Sequence, residues 1–168
     1  MLRRNVENGI SAAIGQLGSN YTNGLLGLVP SKKKAARLYQ RAADLGDVMA
    51  MYNLGCAYKE GQGVKLDNKK AIKYWRMAAD RGYAKAQYNI GLCFDDGDGV
   101  TQDYVEAMRF FKLAAEQGFT RAGYYLGFMY ENGEGVAQNA AEAIRWYERA
   151  AAKGHEDAKC ALAEIRSL

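Results

Sequence analysis

VMAMYNLGCAYKEGQGVKLDNKKAIKYWRMAADRGY (residues 48–83) is followed without a gap by AKAQYNIGLCFDDGDGVTQDYVEAMRFFKLAAEQGF (84–119) and TRAGYYLGFMYENGEGVAQNAAEAIRWYERAAAKGH (120–155). One unit of 36 residues is written three times, and self-similarity at a period of about 20 to 50 residues is the mark of a stacked-repeat architecture. Within each unit, Ala50, Leu54 and Tyr58, or Ala86, Ile90 and Phe94, or Ala122, Leu126 and Tyr130, fall at helical spacing and predict a first helix with one apolar stripe. Gly55, Gly91 and Gly127 sit beside that stripe. A helix-interior glycine costs about 1 kcal/mol relative to alanine, so a glycine kept in register predicts close approach of a neighbouring helix.

The paired glycines of Gly61-Gln62-Gly63-Val64 and its two sister turns predict a reversal of the chain. Asp67, Asp103 and Asn139 then stand where a second helix needs a side-chain acceptor for its free N–H groups. The stripe of that helix is Ala71, Trp75, Ala78 and Ala79, with Ala107, Phe111, Ala114 and Ala115 and then Ala143, Tyr147, Ala150 and Ala151 in the sister repeats; Gly82, Gly118 and Gly154 close it.

The pattern A-x-x-x-L-G-x-x-Y-x-x-G-x-G-V, then A-x-x-x-[WFY]-x-x-A-A and a closing glycine, resembles the Sel-one-like repeat, a relative of the tetratricopeptide repeat. The likeness covers nearly the whole chain. It implies an all-α fold, a right-handed α-solenoid of helix-turn-helix repeats with four hairpins and a C-terminal capping helix. It also implies a non-enzymatic scaffold or adaptor that binds a protein or peptide. Residues 1–10 are expected to be an N-terminal segment, 11–47 a divergent first repeat, 48–83, 84–119 and 120–155 the three clear repeats, and 156–168 the capping half-repeat.

The divergent copy matches through Ala13, Leu17, Gly18, Tyr21 and Gly24, carries one extra residue in the turn Leu25-Leu26-Gly27-Leu28-Val29, and resumes with Ser31 as cap and Ala35, Tyr39, Ala42 and Ala43 as stripe. At the other end, Ala158 and Leu162 continue the period into a last first-type helix that covers the preceding hairpin.

Composition agrees with a folded chain: 49% of the 168 residues are in the apolar set and 25% are charged. No apolar run approaches the roughly 20 residues of a membrane span, and no targeting segment is read at the start, so the expectation is a soluble, cytoplasmic chain, a monomer in isolation. Cys56, Cys93 and Cys160 have no metal-ligand spacing and lack the cysteine pair per repeat of some secreted relatives; they are expected to be partly buried free thiols. Some of those secreted relatives have been credited with β-lactam binding, but their cysteine framework is missing here.

Charge is uneven, +3 over residues 11–47 and +4 over 48–83 against −3 over 84–119. Lys32, Lys33, Lys34, Arg37, Arg41, Lys65, Lys69, Lys70, Lys73 and Arg76 cluster on or just before the second helices of the first two repeats. A solvated outer face explains them; electrostatic binding of nucleic acid or an anionic surface is the alternative function. Without a recognisable module or demonstrable stacking aromatics, the sequence argues against nucleic acid. The opposed halves also admit head-to-tail association between copies.

In related arrays the first helices line the concave wall. By that resemblance the partner-binding columns are Met49, Lys85 and Arg121; Tyr52, Tyr88 and Tyr124; Cys56, Leu92 and Phe128; and Lys59, Asp95 and Glu131. Lys59, Leu92, Asp95, Phe128 and Glu131, where residue type changes between repeats, are the preferred contacts; the tyrosine column reads equally as packing between repeats. The tetratricopeptide clamp for a C-terminal carboxylate is echoed only by Lys85 and Arg121 and is not expected. His155 reads as a connector, Asp95-Asp96-Gly97-Asp98 lacks the ligand spacing of a calcium loop, and no phosphate-binding glycine motif occurs. No catalytic residue, cofactor or metal is expected.

Overall fold

A computed structural model describes the backbone of residues 2–167 and the side chains of residues 9–167. Its helices are α1 (Leu2–Asn23), α2 (Lys32–Asp44), α3 (Val48–Glu60), α4 (Asn68–Ala79), α5 (Ala84–Asp96), α6 (Tyr104–Glu116), α7 (Thr120–Asn132), α8 (Ala140–Ala151) and α9 (Glu156–Arg166), with a short 3₁₀ turn at Leu25–Gly27. No strand occurs among the described residues. The chain forms two compact units, Met1–Tyr83 and Ala84–Leu168. The first holds the antiparallel pairs α1/α2 and α3/α4; the second holds α5/α6, α7/α8 and α9.

The second helix of each hairpin starts on a side-chain acceptor. Asp67 Oδ1 accepts from the Lys70 N–H at 2.9 Å, Asp103 Oδ1 from Glu106 at 3.0 Å and Asn139 Oδ1 from Glu142 at 3.1 Å; Ser31 caps α2 through the Lys34 N–H. These helices end in a Schellman arrangement. At α8 the Gly154 N–H bonds the Ala151 carbonyl and the His155 N–H reaches back to Ala150, and the same pair of bonds recurs at Gly46, Gly82 and Gly118. In the turn between α3 and α4, Gly63 has φ +76, and a Cβ there would collide with the Lys32 carbonyl. The second glycine of the pair therefore serves a close backbone approach as well as the reversal.

The register glycines share one environment. A Cβ on Gly91 would lie 2.6 Å from Phe111 Cδ1, one on Gly127 2.5 Å from Tyr147 Cδ1 and one on Gly18 2.8 Å from Tyr39 Cε1, while Gly55 faces Trp75 in the same way. Each hairpin is closed by an aromatic ring of its second helix pressed against the bare backbone of its first. The rings are buried: Phe111 is 0% exposed and Tyr147 1%. Burial of a large side chain of this kind contributes about 1.5–3 kcal/mol, more than the glycine costs. Trp75 adds a hydrogen bond from its indole N–H to the Tyr52 carbonyl, 3.2 Å.

One helix, α1, runs through Ile10 from the N-terminal segment into the first repeat; the charged side chains of Arg3, Arg4 and Glu7 lie outside the described residues. Two expectations need correction. Ala13 and Leu17 match the buried Ala50 and Leu54 in sequence but are exposed: α3 lies between α2 and α4, whereas α1 packs mainly on α2 alone. Cys160 is exposed rather than partly buried, since no described helix packs on the outer side of α9; Cys93 is buried and Cys56 half-buried.

Candidate functional site

Residues 49, 52, 56 and 59 of α3 fall at spacings that place them on one helix face, and the same columns recur on α5 and α7. The structure separates these residues into those that face water and those that pack. Met49, Lys85, Arg121 and Phe128 are exposed, Phe128 to 41%. Tyr52, Tyr88 and Tyr124 are half-buried, each against the residue 31 positions later: Tyr52 on Tyr83 at 5.1 Å between ring centroids, Tyr88 on Phe119 at 4.9 Å and Tyr124 on His155 at 4.9 Å. The tyrosine column is therefore part of the packing at the start of each following helix. His155, read as a connector, supplies the stacking surface for Tyr124, and its Nδ1 is buried without a hydrogen-bond partner among the described residues.

Cys56 lines a cavity of about 120 Å³ with Thr22, Tyr39 and Asn53, and burial pushes its thiol above the usual range, which leaves it a poor nucleophile. Leu92 rests on the cluster around Phe111, Leu126 and Met129. Glu131 is held by the Tyr147 hydroxyl, which donates to Oε2 at 2.6 Å; burial, then this bond, raises the Tyr147 pKa. The Tyr88 hydroxyl is pushed up to about 12, first by burial and then by Tyr125.

Asp95 is the acid among these columns whose ionisation is shifted. Its carboxyl is raised to about 6, first by partial burial and then by the negative charges of Asp96 and Glu134. On the second unit the face thus offers an exposed aromatic ring at Phe128, cations at Lys85 and Arg121, and an acidic edge at Asp95 and Glu131. No group of three His, Cys, Asp or Glu residues that could hold a metal ion occurs among the described residues, and no described helix is long and apolar enough to cross a membrane.

Sequence reasoning missed Tyr125, which stacks on Phe111 at 5.0 Å and meets Tyr88 edge-on at 5.8 Å. The sister residues are Asn53 and Asn89, so the signal was an aromatic at a polar column. Asp47 also went unread as a cap, although its Oδ1 accepts from the Ala50 N–H at 2.6 Å.

Comparison with known families matches the Sel1 repeat at residues 11–47, 48–83, 84–119 and 121–155. Among solved structures, a Sel1 repeat protein from Oxalobacter formigenes is 34% identical with a TM-score of 0.87, over 92% of this chain and 63% of that one. The protective antigen c5321 of uropathogenic Escherichia coli, which displays an SLR fold, is 39% identical with a TM-score of 0.90, over 97% of this chain and 35% of that one. Helicobacter pylori cysteine rich protein B, at 23% identity and a TM-score of 0.62 over 77% of this chain and 93% of that one, shares the fold. The chain thus spans less than two thirds of the length of the first two relatives. No curated protein matches.

Proposed function

The chain belongs to the Sel1 repeat family, and from that premise we propose that it is a non-enzymatic adaptor that grips an extended or helical peptide or protein surface on the face of its first helices that lines the concave wall in related arrays. Sel1 repeat proteins act in general as protein-interaction scaffolds. The observation that carries the reading is the register of columns on α5 and α7: Phe128 stands exposed beside a packed floor of Tyr88, Tyr124 and Leu92, between the cations Lys85 and Arg121 and the acidic Asp95 and Glu131. A rigid aromatic anchor with charge at both edges suits a peptide ligand, because it supplies contact area at low entropic cost. Met49, Tyr52 and Lys59 give the first unit the corresponding columns on α3, with Cys56 beneath them.

The test compares partner capture by the native chain with capture by the Asp95→Lys, Phe128→Ala double variant. At least a tenfold loss of the captured partner is expected, and undiminished recovery by a folded variant removes the proposal.

A second reading is favoured by the first unit. Lys32, Lys33, Lys34, Lys65, Lys69 and Lys70 are all exposed, and the approach of Gly63 to the Lys32 carbonyl brings the two lysine groups together. In that reading the unit holds an anionic surface. Retention on a polyanion should then fall steeply with salt and on reversing Lys69, Lys70 and Lys73; salt-independent retention excludes it.

A further inference from the structure

Position 123 breaks a pattern that the repeats otherwise keep. The equivalent side chains are Met51, which is 1% exposed, and Gln87, which is 4% exposed and accepts a hydrogen bond from Gln117 Nε2 at 2.7 Å. In α7 the position is Gly123. Unlike the register glycines, it has no ring pressed into the space of a Cβ: a Cβ there would meet Ala150 Cβ and Trp146 Cε3 at 3.9 Å, ordinary contact. Packing does not require glycine at this point, and the helix is weakened by having it.

The missing side chain leaves a cavity of about 250 Å³, open to solvent, between the end of α6, the start of α7 and α8. Its walls include Phe119, Gly123, Trp146 and Ala150, and Arg149 and Lys153 stand among its lining residues. No carboxylate lines it. The Arg149 guanidinium lies 4.4 Å from the Trp146 ring centroid, and Lys153 Nζ donates to the Gly118 carbonyl at 3.3 Å. Neither cation is in an ion pair among the described residues, whereas nearby Arg145 and Arg166 are neutralised by Glu142 and Glu148.

We propose that this cavity is a binding site for an aromatic ring bearing a carboxylate. An enclosed apolar cavity of about 150 Å³ suffices for benzene, and drug-sized ligands need about 300–1,000 Å³, so the space fits one ring. The indole and phenyl walls receive it. The two cations match one negative charge and exclude a positive one. The site shares no residue with the peptide-binding face and stands or falls separately from it.

The same chemistry is carried by a free aromatic acid and by an aromatic residue at the C-terminus of a peptide, represented by phenylacetate and N-acetylphenylalanine. Titrating the full chain with each, by ligand-detected NMR, should give saturable binding. The tighter of the two identifies the source. N-acetylphenylalaninamide, which lacks the charge, should bind at least tenfold more weakly than the acid. Gly123→Met, the residue that repeat two already buries in this register, should weaken the acids at least tenfold with an unchanged or raised melting temperature. The double substitution Arg149→Gln and Lys153→Gln, outside the core, should do the same. No saturable binding of either acid, equal binding of acid and amide, or full affinity in a folded Gly123→Met or in the double variant overturns the proposal.

Discussion

On the proposed face, Asp95 is the residue at which partner binding is expected to depend on pH. Its carboxyl titrates at about 6 because partial burial and the neighbouring Asp96 and Glu134 oppose its ionisation. A carboxyl raised in the folded state favours folding when protonated, so its contribution is fully present below about pH 4, the unfolded value, and is lost as pH rises through about 6. At neutral pH the charge therefore works against the fold. Asp95→Asn should raise stability at pH 7 by up to about 1 kcal/mol after allowance for solvent screening, and leave it unchanged at pH 3.5. Denaturant unfolding at the two pH values checks this, and an equal effect at both shows that ionisation is not the cause. A cationic partner would restore the charged form, so affinity should weaken as pH falls below about 6.

Two helices with interior glycines give opposite expectations for the same substitution. In α5, Gly91 is pinned by Phe111, which is fully buried and itself held by Tyr88 at 5.8 Å and Tyr125 at 5.0 Å. The ring cannot yield, so overpacking of about 1–3 kcal/mol outweighs the roughly 1 kcal/mol of helix propensity that alanine brings. In α7, Gly123 has room for a Cβ, and only the propensity gain remains. Gly91→Ala should thus lower the melting temperature by several degrees, and Gly123→Ala raise it by about 2–4 °C; thermal unfolding followed by circular dichroism reads both.

The contrast also marks what could be read from the chain itself. Caps, turns and the aromatic-on-glycine closure depend on residues inside one 36-residue unit, and three copies made those columns plain. Burial of Ala13, Leu17 and Cys160 depends on whether another helix lies alongside, which no local pattern encodes. The face on α5 and α7 was legible as a set of columns, but not the division between packed Tyr88 and Leu92 and exposed Phe128. That division follows from the rings of Phe119 and Tyr125, which lie outside the columns.

At the scale of the whole molecule, the contacts run from each helix to its neighbours in sequence, α5 with α6, α6 with α7, α7 with α8 and α8 with α9 in the second unit, and likewise from α1 to α4 in the first. Stability in such an array is close to a sum of repeat and neighbour terms rather than the property of one core. A local injury should then stay local. Gly127→Ala forces the Tyr147 ring, 1% exposed and tied to Glu131, away from α7, with a cost of about 1–3 kcal/mol. Amide hydrogen exchange under native conditions should show α7, α8 and α9 exchanging about tenfold to a hundredfold faster, while amides of α2 and α3 in the first unit keep their protection. The comparison is internal to one sample, so the pattern matters more than the size of the effect. If protection falls by the same factor in every helix, the chain opens as a single cooperative body and the nearest-neighbour account of its stability is wrong.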